Sequence, residues 1–538
     1  MQHFCLITHS IVVKLQSINV ITIYEGGNIM EGSLGIVLVA FFAYLLMMII
    51  IGALCMKENN SSEDYFLGGR NLNGFVAALS AQASDMSGWL LMGLPGSIYL
   101  LGTGQAWIGI GLFIGTALNW LIVAGRLRKY TIRANNSLTL PEFFKNRFHD
   151  DKDILIGASS VVIVIFFLVY TASALASGGK LFNSIFGIDY HTALVIGALV
   201  ILVYTFMGGF LAVCTTDFIQ GMLMLVALLA IPVIAFAMLG SNMNSILAET
   251  GVDPVSFTNI MQENGAPIKA VSIISSLAWG LGYFGMPHIL IRFMAIKDEK
   301  ELKKSKAVGI GWVFLSLLFA CIIGVVGRAY LAPVVLGTEG QASSESVFIE
   351  MIKKVFITDI RLPFIAGIFL CAILAAIMST ADSQLLVTSS AVAEDLYKGI
   401  FKKDADELSV LKLSRITVVV VALLAILIAW NPDSSVMALV SDAWAGFGSA
   451  FGPLVLLSLF WKRTNFQGAL AGIVSGAAVV ILWDYIPVAS GATLAAVTGL
   501  YSLVPGFFIS LLLIIIVSLV TPAPSQAIVT EFEEVAAK

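Results

Sequence analysis

The chain has 538 residues, 58% hydrophobic and only 12% charged, with a formal net charge of −4. Soluble domains carry about a quarter of their residues as Asp, Glu, Lys or Arg, so this composition excludes a soluble enzyme or scaffold and describes a polytopic membrane protein. No basic cluster interleaves with aromatics, which removes the usual signature of a nucleic-acid partner. Cys5, Cys55, Cys214, Cys321 and Cys371 are scattered without a CxxC spacing, and the five histidines form no ligand cluster, so neither disulfides nor a metal centre is expected.

Residues 1–29 hold Lys14 and a modest apolar run but no small-residue cleavage pattern. Met30 opens MEGSLGIVLVAFFAY, a normal entry into a membrane helix, and the Glu25-Gly26-Gly27 stretch fits a translated ribosome-binding sequence. Residues 1–29 are therefore expected to be a non-native or disordered extension. Hydropathy then predicts thirteen spans, near 34–56, 75–101, 106–125, 154–179, 191–212, 216–240, 270–296, 307–332, 362–392, 412–430, 436–461, 466–485 and 501–520. The connections are short, and 522–538 is a tail too small for a catalytic or signalling module.

The second span reads FVAALSAQASDMSGWLLMGLPGSIYLL. A carboxylate at mid-bilayer costs about 2.5–3.5 kcal/mol on insertion scales, so Asp85 needs a partner or an aqueous cavity. Gly88, Gly93, Pro95 and Gly96 follow closely, and such breakers let a helix unwind and turn carbonyls toward a ligand. A packing helix with back-bonded serines explains the serines alone; a cation site explains Asp85 as well. The seventh span, AVSIISSLAWGLGYFGMPHILIRFMA, is broken in the same way by Gly280, Gly282, Gly285 and Pro287, with Trp279, Tyr283 and Phe284 among the breaks. Glycines that merely ease helix packing explain one such span. Two, five spans apart, point to an inverted repeat of spans 2–6 and 7–11 (about 75–240 and 270–461), with spans 1, 12 and 13 peripheral.

The ninth span places Ser379, Thr380, Asp382 and Ser383 in an otherwise apolar helix. A hard cation such as sodium prefers oxygen ligands. Carbonyls freed near Ala83 and Met86, with the hydroxyls of Ser379 and Thr380 about 100° apart on their helix, make such a set. Taken alone, a Ser-Thr pair is as well read as back-bonded. Asp217, at the start of the sixth span, reads as a helix cap, and Asp442 and Arg328 as structural charges. Loops after odd spans carry the positive charge: Arg126, Arg128, Lys129, Arg133, Lys145, Arg147 and Lys152, then Lys297 to Lys306, then Lys398 to Lys412. By the positive-inside rule the N-terminus is expected outside and the C-terminus in the cytoplasm.

The motifs SAQASDMSGWLLMGLPG (80–96), YTFMGGFLAV (204–213), WGLGYFGMPHIL (279–290), AAIMSTADSQLL (375–386) and AWAGFGSAFGP (443–453) closely resemble the sodium/solute symporter family, above all its bacterial proline-transporting members, from about Gly32 to Thr521. The resemblance implies an all-α polytopic fold of about thirteen transmembrane helices, ten of them in a leucine-transporter-like five-plus-five inverted repeat, so that 30–521 forms one transporter domain. It implies a sodium site at the carbonyls of Ala83, Met86 and Ala376 and the hydroxyls of Ser379 and Thr380, with Asp85 and Arg70 serving sodium coupling. It implies a proline pocket at Ser87, Gly88, Tyr170, Trp279, Tyr283 and Pro287. Asp217, Asp382 and Ser383 are candidates for a second cation; Asp382 and Asp442 depart from the uncharged residues of similar proteins. The implied activity is sodium-driven uptake of L-proline through the plasma membrane, with no cofactor besides the coupling ion and no obligate protein partner. A same-fold symporter for another amino acid, a monocarboxylate or pantothenate is the nearest rival. An enzyme would need a nucleophile–base or metal constellation, and a transporter-like sensor would need an attached signalling domain; the sequence carries neither.

Overall fold

In hydrocarbon each backbone N–H and C=O must be satisfied within its own segment, so the apolar stretches become helices. A computed structural model describes residues 28–55, 66–205, 209–338, 343–488 and 491–537. Most of the predicted extension, residues 1–27, lies outside the described residues. The principal helices in chain order are α1 Asn28–Cys55, α2 Gly74–Asp85, α3 Trp89–Leu101, α4 Thr103–Arg133, α5 Leu140–Arg147, α6 Ile154–Phe186, α7 Tyr190–Thr205 and α8 Phe210–Leu239. There follow α9 Ala270–Ala278, α10 Pro287–Ala295, α11 Glu299–Tyr330, α12 Val347–Lys353, α13 Pro363–Ser390, α14 Glu407–Ile428, α15 Val436–Phe460, α16 Phe466–Tyr485, α17 Leu503–Val520 and α18 Gln526–Ala536.

Among the described residues ten helices are long and apolar enough to cross a bilayer, or eleven when α9 and α10 count as one span bent by 46°. The count of thirteen is thus not met helix for helix. The 75–101 stretch is divided between α2 and α3, and the 191–212 stretch yields α7, of 16 residues, ahead of residues 206–208, which lie outside the described set. The sixth helix also begins earlier than predicted, at Phe210, so Asp217 sits two turns inside α8 and is not its cap.

The layering follows from which helices bury their polar residues. In the apolar windows of α13 (with its continuation to Phe401) and α15, 78% and 83% of residues are buried, against 28% for α1 and 33% for α16 and α17. The first two form the centre, and the others turn residues such as Phe42, Leu482 and Leu519 outward, as suits lipid. The Met86–Gly88 break and the 3-10 segment Trp279–Gly285 both face this centre: α2 packs on α8, α10, α11 and α13, and Trp279–Gly285 packs on α4 and α15.

The tail is more than a loose end. Ile528, Phe532 and Val535 bury one face of α18, whose Phe532 meets Tyr130 at 6.3 Å and lies 5.4 Å from the Arg147 guanidinium. Glu534 pairs with Arg133 at 2.7 Å and Glu533 with Lys462 at 2.8 Å. Exposed ion pairs contribute little, so the apolar face holds this helix. Phe532→Ala is expected to expose residues 526–537 to limited proteolysis while leaving the membrane-spanning helices folded.

Candidate functional site

Asn73 starts α2 by accepting from the amides of Phe75 and Val76 at 3.1 and 3.0 Å. The helix ends at Asp85, and Met86 leaves helical geometry with φ −83° and ψ 79°. Ser87 N–H then donates to Asp85 C=O at 3.0 Å, and Leu90 N–H to Ser87 C=O at 3.1 Å, before α3 resumes. Gly88 sits where α3 meets α6: a Cβ there would collide with Ser177 Oγ and lie 2.7 Å from Ser177 Cβ.

Asp85 is the knot of the break. Tyr283 Oη donates to its carboxylate Oδ2 at 2.6 Å, and its backbone carbonyl accepts from Trp89 Nε1 at 2.9 Å and Tyr170 Oη at 3.4 Å. One residue thereby joins both broken spans to α6. Across from it, Ser379 Oγ lies 2.7 Å from Ala83 O and 3.2 Å from Ala376 O, and Thr380 Oγ1 lies 3.4 and 3.0 Å from the same two carbonyls. These four oxygens are fully buried between α2 and α13. Met86 follows in the break, its sulfur accepting from Ser316 Oγ at 3.3 Å.

The second break supplies the aromatic wall. Trp279 stacks on Tyr501 at 5.3 Å and on Trp444 at 6.4 Å, and Tyr283 meets Trp444 edge-on at 5.0 Å. Trp444 Nε1 donates to Trp279 O at 2.7 Å and Asn119 Nδ2 to Tyr283 O at 2.8 Å, which satisfies carbonyls the 3-10 turn leaves outside helical pairing. Pro287 occupies the first turn of α10, where its missing N–H costs nothing. His288 follows it, edge-on to Phe167 at 5.5 Å and Tyr170 at 6.1 Å. Asp85 Oδ1 and both His288 ring nitrogens are buried without a hydrogen-bond partner among the described residues. Interiors rarely leave such atoms bare unless a ligand or water completes them.

Of the residues singled out in the sequence, the structure thus brings the Ser379 and Thr380 hydroxyls within 3.4 Å of the Ala83 and Ala376 carbonyls and joins Asp85 to Tyr170 and Tyr283, with Met86, Ser87 and Gly88 in the break that follows Asp85. Trp279 stands one aromatic layer further out. Arg70 is elsewhere: at the start of α2 it donates to Asn136 Oδ1 (2.8 Å), Thr131 Oγ1 (3.2 Å), Met294 O (2.7 Å) and Ser137 O (2.7 Å), binding the ends of α4 and α10. Asp217 and Ser383 both touch the guanidinium of Arg292, at 3.1 and 2.6 Å, and Ser383 donates to neighbouring Asp382 Oδ1 at 3.3 Å. Asp442 is paired with Tyr485, and Arg328 with Thr250, outside this centre. Arg292, His288, Trp444 and Tyr501 were missed from sequence. For Arg292 a signal existed, since it is a charge within the predicted span 270–296.

Two discontinuous spans joined through the Asp85 carboxylate, beside oxygens buried between α2 and α13 and within ten or eleven membrane-capable helices among the described residues, define a multi-pass membrane transporter. The family model for the sodium:solute symporter family matches residues 65–476. The high-affinity proline transporter PutP of Bacillus subtilis (strain 168) is 46% identical over 90% of this chain and 98% of its own length. The osmoregulated proline transporter OpuE of the same organism is 44% identical over 91% and 96%, and the sodium/proline symporter of Escherichia coli (strain K12) 46% over 92% and 95%. Among solved structures, a sodium-coupled sialic acid symporter in a substrate-bound outward-open state superposes with a TM-score of 0.72, covering 91% of this chain and 99% of that one at 21% identity. The chain belongs to the sodium:solute symporter family.

Proposed function

We propose that the protein takes up L-proline through the plasma membrane, driven by sodium and by alternating access of a thirteen-helix, five-plus-five inverted-repeat bundle. Its N-terminus lies outside and its C-terminus in the cytoplasm. The observation that carries the reading is the ring of Ala83 O, Ala376 O, Ser379 Oγ and Thr380 Oγ1, each hydroxyl 2.7–3.4 Å from both carbonyls, against the break that ends α2. Neutral oxygens from two helices suit a monovalent hard cation, with the Met86 carbonyl as a fifth ligand. Ser87, Gly88, Tyr170, Trp279, Tyr283 and Pro287 surround the solute: helix-end amides favour its carboxylate, and aromatic faces favour a small ring with a secondary ammonium. Asp85 links the two sites, and Arg70 braces the inner ends of the broken spans. The names of the relatives support sodium and proline as the cargo.

The driving force suffices. A potential of roughly 150 mV supplies about 3.5 kcal/mol per sodium, and a tenfold sodium gradient about 1.4 more. Together these sustain accumulation of about a few thousandfold. In proteoliposomes, Thr380→Ala is expected to raise the sodium concentration for half-maximal proline uptake about tenfold, the worth of one buried ligand hydrogen-bonding group at about 1–1.5 kcal/mol. A change in apparent proline affinity alone, with sodium dependence intact, would refute the sodium assignment. Failure of unlabelled proline to compete, where another amino acid or pantothenate does, would refute the substrate.

A further inference from the structure

Arg147 closes α5 with a fully buried side chain. Its Nε donates to Ser458 O, in the last turn of α15, at 3.2 Å. The other two nitrogens, Nη1 and Nη2, are buried with no hydrogen-bond partner among the described residues. Two hydroxyls of the same neighbourhood share that condition: Ser458 Oγ, and Tyr130 Oη from the last turn of α4. The rings of Tyr130, Phe148 and Phe532 stand 4.9, 5.0 and 5.4 Å from the guanidinium carbon. Aromatic faces attract its positive charge, but they supply neither a counter-charge nor an oxygen for its N–H groups. The carboxylate next to Phe532 on α18 is engaged elsewhere: Glu531 lies 3.3 Å from His149 Nε2 and 3.9 Å from Arg133 Nη1.

A buried charge without a counter-charge is strongly disfavoured, and interiors rarely leave polar atoms bare unless something completes them. Nη1 and Nη2 carry only N–H donors, each of the two hydroxyls can donate as well, and no carboxylate shares the space. Donors gathered round a positive charge make a seat for an anion. We propose that Arg147, Tyr130 and Ser458 form a buried site for one small monovalent anion, chloride being the commonest, roofed by Phe532 of α18. One guanidinium balances one negative charge. Stripping water from a divalent oxyanion such as sulfate costs far more than stripping it from a halide, since ion hydration rises steeply with charge. A cleft of about 290 Å³, lined in part by Asn146, His149 and Glu531, opens to solvent alongside and gives a way in. These three are chain neighbours of Arg147, Phe148 and Phe532. The anion ties the last turns of α4, α5 and α15 together beneath the terminal helix. Its site does not depend on what the protein transports.

The test melts the purified full-length protein in detergent, in sodium chloride and in sodium gluconate at equal sodium and equal ionic strength. A ligand that binds only the folded state raises the melting temperature by mass action. Wild type is therefore expected to melt several degrees higher in chloride, with a saturable dependence that bromide reproduces and sulfate does not. The chloride NMR line is expected to broaden in the presence of wild type. R147Q is expected to lose both effects. Y130F and S458A keep the guanidinium and nearly all the packing, and each is expected to raise the half-saturating chloride concentration about tenfold, the worth of one hydrogen bond to a charge. Melting that is the same in chloride and gluconate overturns the proposal. So does an undiminished chloride response in R147Q or, where R147Q does not fold, in both Y130F and S458A. An equal shift in sulfate overturns the assignment to a small monovalent anion.

Discussion

In Asp85→Asn, half-maximal proline uptake is expected to need at least tenfold more sodium, with the protein still folded and in the membrane. The substitution keeps the size of the side chain and its ability to accept from Tyr283 Oη, now 2.6 Å away. It removes the negative charge. A hydrogen bond to a charged group is worth about 1.5–3 kcal/mol, and about 1.4 kcal/mol is tenfold in binding. Because the Asp85 backbone carbonyl also accepts from Trp89 and Tyr170, weakening this knot should loosen the break that presents the Ala83 carbonyl. Binding linkage then requires proline to bind less tightly at low sodium and to recover at high sodium. Proline affinity that stays reduced at saturating sodium would make Asp85 a substrate ligand instead of an organiser of the ion site.

A second large effect is expected at Gly88. Alanine there would force its Cβ into Ser177, with 2.7 Å to Ser177 Cβ alone. Neither helix can yield cheaply, since Ser177 lies on the buried face of α6, and overpacking of this kind costs about 1–3 kcal/mol. Gly88→Ala should therefore cut the maximal uptake rate by at least tenfold. Gly88→Ala with Ser177→Gly should restore most of it, because the second change vacates the space the first one needs. A double variant no better than the single one would rule out the fit against α6 as the reason for glycine at this position.

How legible this was varies with the physics behind each feature. The broken second and seventh spans were plain in sequence, because Gly and Pro clusters inside apolar stretches have few other uses, and Ser379 and Thr380 were legible as adjacent hydroxyls in an apolar helix. Asp217 was misjudged as a cap because hydropathy ran the fifth span on to residue 212, whereas α8 opens at Phe210 behind Gly209; an apolar stretch does not reveal where one helix stops and the next starts. Arg292, in the predicted span 270–296, names no partner by its own position. Its partners are Ser80, Asp217 and Ser383, which lie 212, 75 and 91 residues away in the chain, and no local pattern encodes such distances. The terminal helix, by contrast, could have been read: Ile528, Phe532 and Val535 recur at i, i+4 and i+7.

The start of the second span and the end of the seventh are also joined by main chain. Leu72 N–H donates to Ala295 O at 3.2 Å, Lys297 N–H to Leu72 O at 3.0 Å, and Leu72 and Ile296 form a parallel bridge. Such a seam would serve as a shared axle for α2 and α10, which extend from it as arms of 12 and 9 residues, about 18 and 14 Å long at 1.5 Å per residue. Leverage follows from those lengths. A tilt of about 10° at the axle swings the far end of the longer arm by about 3 Å, as much as the 2.7–3.4 Å that separates the hydroxyls of α13 from the Ala83 carbonyl. Under the proposed sodium assignment, a small rotation at this distant seam would be enough to part the oxygens that would hold the ion.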